Sequence, residues 1–282
     1  MKVAGVQMDV QLADPAANCQ RMIAFLQQTR AEGADLTVFP ECALTGYCFD
    51  SRDEAWPYAE PVPGPTTQRM AKACQQYGGS VIFGMLERVE DRLFNVAVLV
   101  NAEGVQANYR KTHLPWLGVD RFTAYGDQPF SVQKLNDVRL GLNICYDAGF
   151  PEPARCLTLL GADLIVLPTN WPPGAECAAE YAINTRAMEN TVYYMAINRV
   201  GVERGFQFIG QSRICDPLGR TLAAARHTDE AVLYADIDVT ISRRKHLIRI
   251  PDTNEVNRLA DRRPEIYHPI VEPNTMVRPG KR

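Results

Sequence analysis

The sequence predicts an α/β layered domain built on a mixed sheet, and three observations carry that prediction. Short apolar runs of strand length alternate with helical stretches over the first two-thirds of the 282 residues. Some strand-like runs also follow one another through tight turns, which places antiparallel pairs in the same sheet. No break in composition divides the chain, so one domain is expected to occupy most of it.

Val3 to Met8 reads as the first strand. Pro15 to Arg30 reads as a helix with Cys19, Met22, Ile23 and Leu26 on one face, Asp14 as its cap and Gly33 as its stop. Leu36 to Phe39 is a short buried strand that runs into Pro40-Glu41. Thr66 to Tyr77 is helical. Val81 to Glu87 and Leu93 to Val100 are strands joined at Asp91-Arg92, and Val105 to Tyr109 follows the turn Asn101-Ala102-Glu103-Gly104. Val138 to Cys145 is an apolar strand ending at a cysteine. A helix over Glu152 to Leu160 closes at Gly161, and Leu164 to Leu167 is another buried strand. Ala175 to Asn190 is alanine-rich and helical. Val192 to Asn198, Phe208 to Ile214 and Val232 to Ile237 are strands, with a turn at Asp216-Pro217-Leu218-Gly219 and a late helix from Val239 to Ile248 capped by Asp238. Residues 1–250 form the expected domain, and 251–282, rich in Pro and Arg, an extended arm.

Composition excludes several classes. Hydrophobic residues make up 46% and charged residues 22%, an ordinary globular mix rather than a disordered or fibrous one. A net charge of −3 gives no sign of the basic face that nucleic-acid binding needs. Arg243, Arg244, Lys245, His246 and Arg249 form a local basic patch, read as a solvated face or an interface. The eight cysteines contain no C-x-x-C pair, and with only four histidines they form no clustered zinc set. The first residues lack the apolar core of about 7–15 residues that marks a signal peptide. No run approaches the roughly 18 apolar residues of a membrane span. The expectation is a soluble, cytoplasmic protein with mostly free thiols, no metal and no cofactor.

Three positions stand out as carriers of chemistry. Cys145 ends a strand and opens the segment Tyr146-Asp147-Ala148-Gly149-Phe150-Pro151 before a helix. Such a corner exposes a side chain at the carboxyl end of a sheet and leaves N–H groups to hold an oxyanion. The alternative is a packed structural thiol. Glu41 also lies at a carboxyl strand end, where apolar walls would raise its pKa and make it a general base; otherwise it is a loop carboxylate. Lys111 closes a strand. Near Cys145 it would favour the thiolate and stabilise an oxyanion; alone it reads as a surface lysine.

The flanking residues raise these three above chance. Pro40-Glu41 with Thr45-Gly46-Tyr47, Tyr109-Arg110-Lys111-Thr112-His113-Leu114-Pro115, and Asn143-Ile144-Cys145-Tyr146-Asp147 with Phe150-Pro151-Glu152 resemble the nitrilase superfamily of carbon–nitrogen hydrolases. Pro168-Thr169-Asn170-Trp171-Pro172, Arg186-Ala187-Met188-Glu189-Asn190, Asn198-Arg199-Val200-Gly201, Gly210 with Ser212, Asp216-Pro217-Leu218-Gly219 and Arg263-Pro264-Glu265-Ile266-Tyr267 extend the similarity in order along the chain. The resemblance implies a four-layer αββα sandwich, with Glu41 as base, Lys111 as oxyanion stabiliser and Cys145 as nucleophile. It also implies a homodimer or higher even homo-oligomer in which the C-terminal arm reaches the partner.

One departure stands out. Many members carry a second glutamate after the lysine motif; here the nearest acid is Asp120, to which the supporting role passes. Nitrile-cleaving members tend to show Cys-Trp-Glu, whereas Cys145-Tyr146-Asp147 looks like the amidase and carbamoylase branches. The expected partner is therefore a small amide or N-carbamoyl substrate, with a nitrile as the alternative. Tyr146 contributes its N–H to the oxyanion, and Tyr47, Asn170 and Trp171 are candidates for the pocket wall. Rival readings are weaker. A papain-like enzyme needs a histidine beside Cys145 and a redox enzyme a resolving cysteine, and intact Glu41, Lys111 and Cys145 argue against a silent scaffold.

Overall fold

The computed structural model describes residues 1–280, so Lys281 and Arg282 of the expected arm lie outside the described residues. In chain order the elements are β1 (Lys2–Gln7), α1 (Pro15–Ala31), β2 (Leu36–Val38), the short α2 (Arg52–Ala55), α3 (Pro65–Tyr77), β3 (Ser80–Val89), β4 (Arg92–Asn101) and β5 (Gly104–Arg110). Then come β6 (Val132–Leu135), β7 (Val138–Leu142), α4 (Pro151–Leu159), β8 (Leu164–Thr169), α5 (Ile183–Asn190) and β9 (Tyr193–Asn198). The chain continues through β10 (Val202–Glu203), β11 (Phe206–Gln207), β12 (Arg213–Cys215), β13 (Thr221–Ala224), β14 (Ala231–Asp236), α6 (Val239–Arg243), β15 (Leu247–Ile250) and β16 (Asn254–Val256).

Two six-stranded mixed sheets result, ordered β14-β1-β2-β3-β4-β5 and β13-β12-β9-β8-β7-β6. In each, three neighbouring strands run parallel, β1-β2-β3 and β9-β8-β7, and antiparallel strands flank them. Alternation along the strands sets the layers. On β3, Val81, Phe83 and Met85 pack with Met22 and Leu26 of α1 and Met70 and Cys74 of α3. Ile82 between them joins Leu36, Val38 and Leu99 in the core shared with the second sheet. The sheets pack closely at Gly5, where an added Cβ would lie 2.1 Å from Ile197 Cδ1. On the far side, Gly141 leaves room for Leu157 of α4, whose Cδ1 would stand 2.9 Å from such a Cβ. The order is helices, sheet, sheet, helices: the four-layer αββα sandwich. No helix among the described residues is long and apolar enough to cross a membrane.

Several expected elements differ in extent. The β3–β4 turn is Glu90-Asp91, one residue early, with Glu90 in the left-handed region at φ 53°. The long helix from Ala175 begins instead with a wide π turn over Ala178–Ala182. There Arg213 donates to the Glu180 carbonyl at 2.6 Å, occupying an acceptor of the regular ladder. Phe208 to Ile214 is not one strand, because Gly210 and Gln211 adopt φ of 63° and 60°. The last helix ends at Arg243, and Leu247–Ile250 forms a hairpin with Asn254–Val256 that straddles residue 250. Strands β6 and β13 carry no strong apolar alternation and were not expected.

Gly84 on β3 shows how the sheet positions the loop after β2. Its N–H donates to Pro40 O at 3.0 Å and its carbonyl accepts from Leu44 N at 3.1 Å. A Cβ there would lie 2.2 Å from Cys42 N and 2.6 Å from Glu41 Cα, so only glycine allows this approach. Gly84→Ala is expected to cost about 1–3 kcal/mol in urea unfolding and to lower activity at the same time. Unchanged stability and activity would show that the loop moves aside freely.

Candidate active site

The first sheet supplies most of the polar side chains. Glu41 leaves β2 through Pro40 and is only 1% exposed. Lys111 follows β5 directly, is likewise 1% exposed, and donates its backbone N–H to Asn95 O at 2.9 Å. Its Nζ reaches Glu41 Oε1 at 2.6 Å and Asp120 Oδ2 at 2.5 Å. Asp120 lies in the 3-10 turn Gly118–Arg121 and is fully buried. Asn95 of β4 donates from Nδ2 to Glu41 Oε1 at 2.7 Å and to Asp120 Oδ1 at 2.9 Å. Thus two carboxylates, an ammonium and an amide form one dry network.

The second sheet brings the thiol. The strand that leads to Cys145 ends at Leu142, three residues earlier than expected, and Cys145 opens the 3-10 turn Cys145–Gly149 at φ 44°. A side chain in this sparsely populated conformation points out of the turn. Asp147 holds the corner. Its Oδ2 accepts from Ile144 N at 2.9 Å and Tyr109 OH at 2.8 Å, while Oδ1 accepts from His113 N at 3.0 Å. His113 Nδ1 lies 2.8 Å from the same oxygen. Asp147 therefore ties the cysteine corner to the segment that carries Lys111.

Lys111 favours the Cys145 thiolate, as the sequence reading expects, but it does not set the balance. Burial instead raises the Cys145 pKa to about 12; the Glu41 charge adds to this, and Lys111, Thr169 and the Asn170 N–H only offset it. The balance favours the neutral thiol. Burial also raises the pKa of Glu41, with Asp120 pushing in the same direction against Lys111 and Asn95. For Lys111, burial favours loss of the proton, but Asp120 and Glu41 together outweigh it and raise the pKa well above 10.5.

The remaining expected residues fall into two groups. Tyr47 is buried beneath the network rather than on an open wall: its OH bonds Asp120 Oδ2 at 2.9 Å and Leu117 O at 3.1 Å. Trp171 is part of the shared core, and its backbone N–H donates to Asn198 Oδ1 at 2.8 Å. Tyr146 is 42% exposed, edge-on to Phe150, which itself stacks on His113 at 4.0 Å. Asn170 is buried with neither side-chain polar atom bonded, as is Glu41 Oε2. Asn95, Asp147 and Thr169 escaped the sequence reading as site residues. The signal for Asn95 was a lone polar residue inside Leu93-Phe94-Asn95-Val96-Ala97. Among the described residues no group of three or more His, Cys, Asp or Glu could hold a metal ion.

A four-layer αββα sandwich with a cysteine at a sharp corner beside buried carboxylates and an ammonium defines a class of hydrolases that cleave carbon–nitrogen bonds. The chain belongs to the carbon-nitrogen hydrolase family, whose model matches residues 2–245. It is similar to a nitrilase from Pyrococcus abyssi, 38% identical and covering 95% of this chain and 99% of that protein. An (R)-stereoselective amidase from a Pseudomonas species is 35% identical over 84% and 86% of the two chains. Among solved structures, a CN-hydrolase superfamily protein from Xanthomonas campestris matches with a TM-score of 0.77. It is 26% identical, and the match covers 87% of this chain and 93% of that one.

Because the Glu41 charge holds the Cys145 pKa up, Glu41→Gln should lower it and leave Lys111 less opposed. Alkylation of Cys145 by iodoacetamide should then quicken at neutral pH, its midpoint falling from about 12. A midpoint unchanged or raised in Glu41→Gln would refute this coupling.

Proposed function

We propose that the protein hydrolyses a small amide or N-carbamoyl compound through a thioester on Cys145. The observation that carries this reading is Glu41. One oxygen is fixed by Lys111 and Asn95, the other is buried and unbonded, and the carboxyl pKa is raised. Such a group takes a proton from a thiol and returns it to a leaving amine, the two transfers that amide cleavage requires.

In this reading Glu41 Oε2 accepts the Cys145 proton as Sγ attacks the carbonyl carbon. The oxyanion is held by Lys111 Nζ and the Tyr146 N–H. Collapse of the tetrahedral species expels ammonia or amine, which takes the proton back from Glu41. Water, deprotonated by Glu41, then attacks the thioester; the acid leaves and the proton returns to Cys145. Asp120 keeps Lys111 charged throughout, and Tyr47 supports Asp120. No step uses a metal or a cofactor.

Cys145→Ala should fold normally and lose turnover by several orders of magnitude. Glu41 must begin ionised, so kcat/KM should fall as the pH drops through its raised pKa. Lys111 keeps its proton far above neutrality, so no lysine-linked loss is expected below about pH 10. Ammonia release should be seen from primary amides or carbamoyl compounds. Release from nitriles alone, or full activity in Cys145→Ala, would overturn the assignment.

The reading includes a homodimer or higher even oligomer, with residues 251–282 at the interface, in the cytoplasm. Eight free thiols support a reducing compartment. Met188 of α5, Leu218 of the turn between β12 and β13, Ile241 of α6 and Ile248 of β15 are exposed together, beside Arg244 and Arg249. An apolar face of this kind is normally covered. Sedimentation should give at least a dimer at micromolar concentration, and Ile241→Asp should shift it to monomer; a wild-type monomer would refute the oligomer.

A further inference from the structure

We propose that Asn95 is a positioning residue that keeps Glu41 ionised at rest and fixes its distance from Asp120. The argument begins with charge. Glu41 and Asp120 are both buried, and one ammonium, Lys111, lies between them. Two carboxylates sharing one cation leave a net negative charge in a dry site, which favours protonation of one of them. Asn95 is the neutral group that counters this. Its Nδ2 carries two hydrogens and gives one to each carboxylate, at 2.7 and 2.9 Å. Its backbone carbonyl holds Lys111 N at 2.9 Å. A single residue thus touches all three charged members of the site.

The orientation of the amide is dictated by its neighbours. Turned over, Oδ1 would face two carboxylate oxygens, with no donor between them. On the other side Cys42 Sγ donates to Oδ1 at 3.6 Å. Burial raises the Cys42 pKa well above its ordinary value, and Glu41 and Asp120 raise it further. Its S–H therefore stays available as a donor. This gives Cys42, fully buried and adjacent to Glu41, a purpose beyond filling space.

The titratable groups facing Glu41 are Lys111 from β5, Asp120 from the Gly118–Arg121 turn, Cys145 from the second sheet, and Cys42 and Tyr47 from its own loop. Of the charged pair, Asp120 raises the Glu41 pKa and Lys111 lowers it. The hydrogen bond from Asn95 acts with Lys111. Removing that bond therefore moves the Glu41 pKa upward, toward the pH at which the base must work.

The test uses Asn95→Leu and Asn95→Asp with the conservative pair Cys42→Ala and Cys42→Ser. The rate arm rests on the amidase reading; an infrared arm, following the protonated carboxyl band of Glu41 against Glu41→Gln, does not. Asn95→Leu should lower kcat/KM at neutral pH by roughly ten- to a hundred-fold, with kcat falling more than KM rises. The loss should shrink as the pH rises, because the acid limb has moved upward. The Glu41 carboxyl band should persist to higher pH in the same variant. Cys42→Ala should shift both readouts the same way by less, and Cys42→Ser should restore them. Asn95→Asp should shift them furthest, since a third carboxylate enters the site. A loss equal at every pH, or a Glu41 band that titrates as in the wild type, would overturn the proposal. If Asn95→Leu fails to fold, an unshifted band in Cys42→Ala overturns it equally. If wild-type protein turns over no amide while the band still shifts, the proposed function fails and the role of Asn95 stands.

Discussion

The ammonium of Lys111 between Glu41 and Asp120 is the contact on which the rest of the site depends. A charge taken out of water needs a partner at hydrogen-bond distance, or its carrier gives up the charge. Here three ionic groups are buried together, and each additional polar residue repairs a deficit left by the previous one. Asp120 balances Lys111, Asn95 satisfies the second oxygen of Asp120, and Tyr47 adds a donor to the first. Elements far apart in sequence are committed to one point by this requirement: the exits of β2 and β5, the middle of β4, and the turn at Gly118–Arg121.

The sandwich then adds the thiol from a different sheet. Glu41, Asn95 and Lys111 belong to the first sheet and Cys145 to the second, so the carboxylate and the thiol meet across the layer boundary. Asp147 fastens that boundary by taking donors from Tyr109 and His113 on one side and Ile144 on the other. One consequence is a balance that favours the neutral thiol. Burial and the Glu41 charge outweigh Lys111, so Cys145 does not behave like a free thiolate.

Much of this was legible in the sequence, and the part that was not shares a physical cause. Glu41 and Cys145 announced themselves by residue type at the carboxyl ends of apolar runs, and β1, β2, β7 and β8 were readable because parallel strands buried on both faces are continuous in hydrophobicity. Lys111 needed the flanking motif to be noticed, since nothing local says that a lysine is buried. Asn95, Asp147 and Tyr47 act through distant partners: Asn95 to Asp120 spans 25 residues and Tyr47 to Asp120 spans 73. No local pattern encodes such pairs. The elements misjudged in extent failed for local reasons. Gly210 and Gln211 break a strand by dihedral angle, and Arg213 opens a helix turn by taking its carbonyl.

Support for Lys111 continues outward beyond Tyr47, and its direction is set by the same need for paired charge. Tyr47 N and Cys48 N donate to Glu203 Oε2 at 3.0 and 2.9 Å, which fixes the backbone under the tyrosine ring. Glu203 is itself buried and requires a cation, supplied by Arg199. Arg199 is also fully buried, lies over the Phe208 ring at 4.2 Å, and passes Nη2 to Val10 O at 2.8 Å and Asp9 Oδ1 at 3.2 Å. Only at Asp9, whose side chain is 51% exposed, does the series reach water. Paired charges therefore run from the site to the surface: Lys111 with Asp120, and, across the neutral Tyr47, Glu203 with Arg199 and Asp9. A buried cation compensated at one step creates the demand for the next, and the demand ends where solvent can meet it. That is why Arg199 and Glu203, which touch neither Cys145 nor Glu41, are as deeply buried as the residues that do.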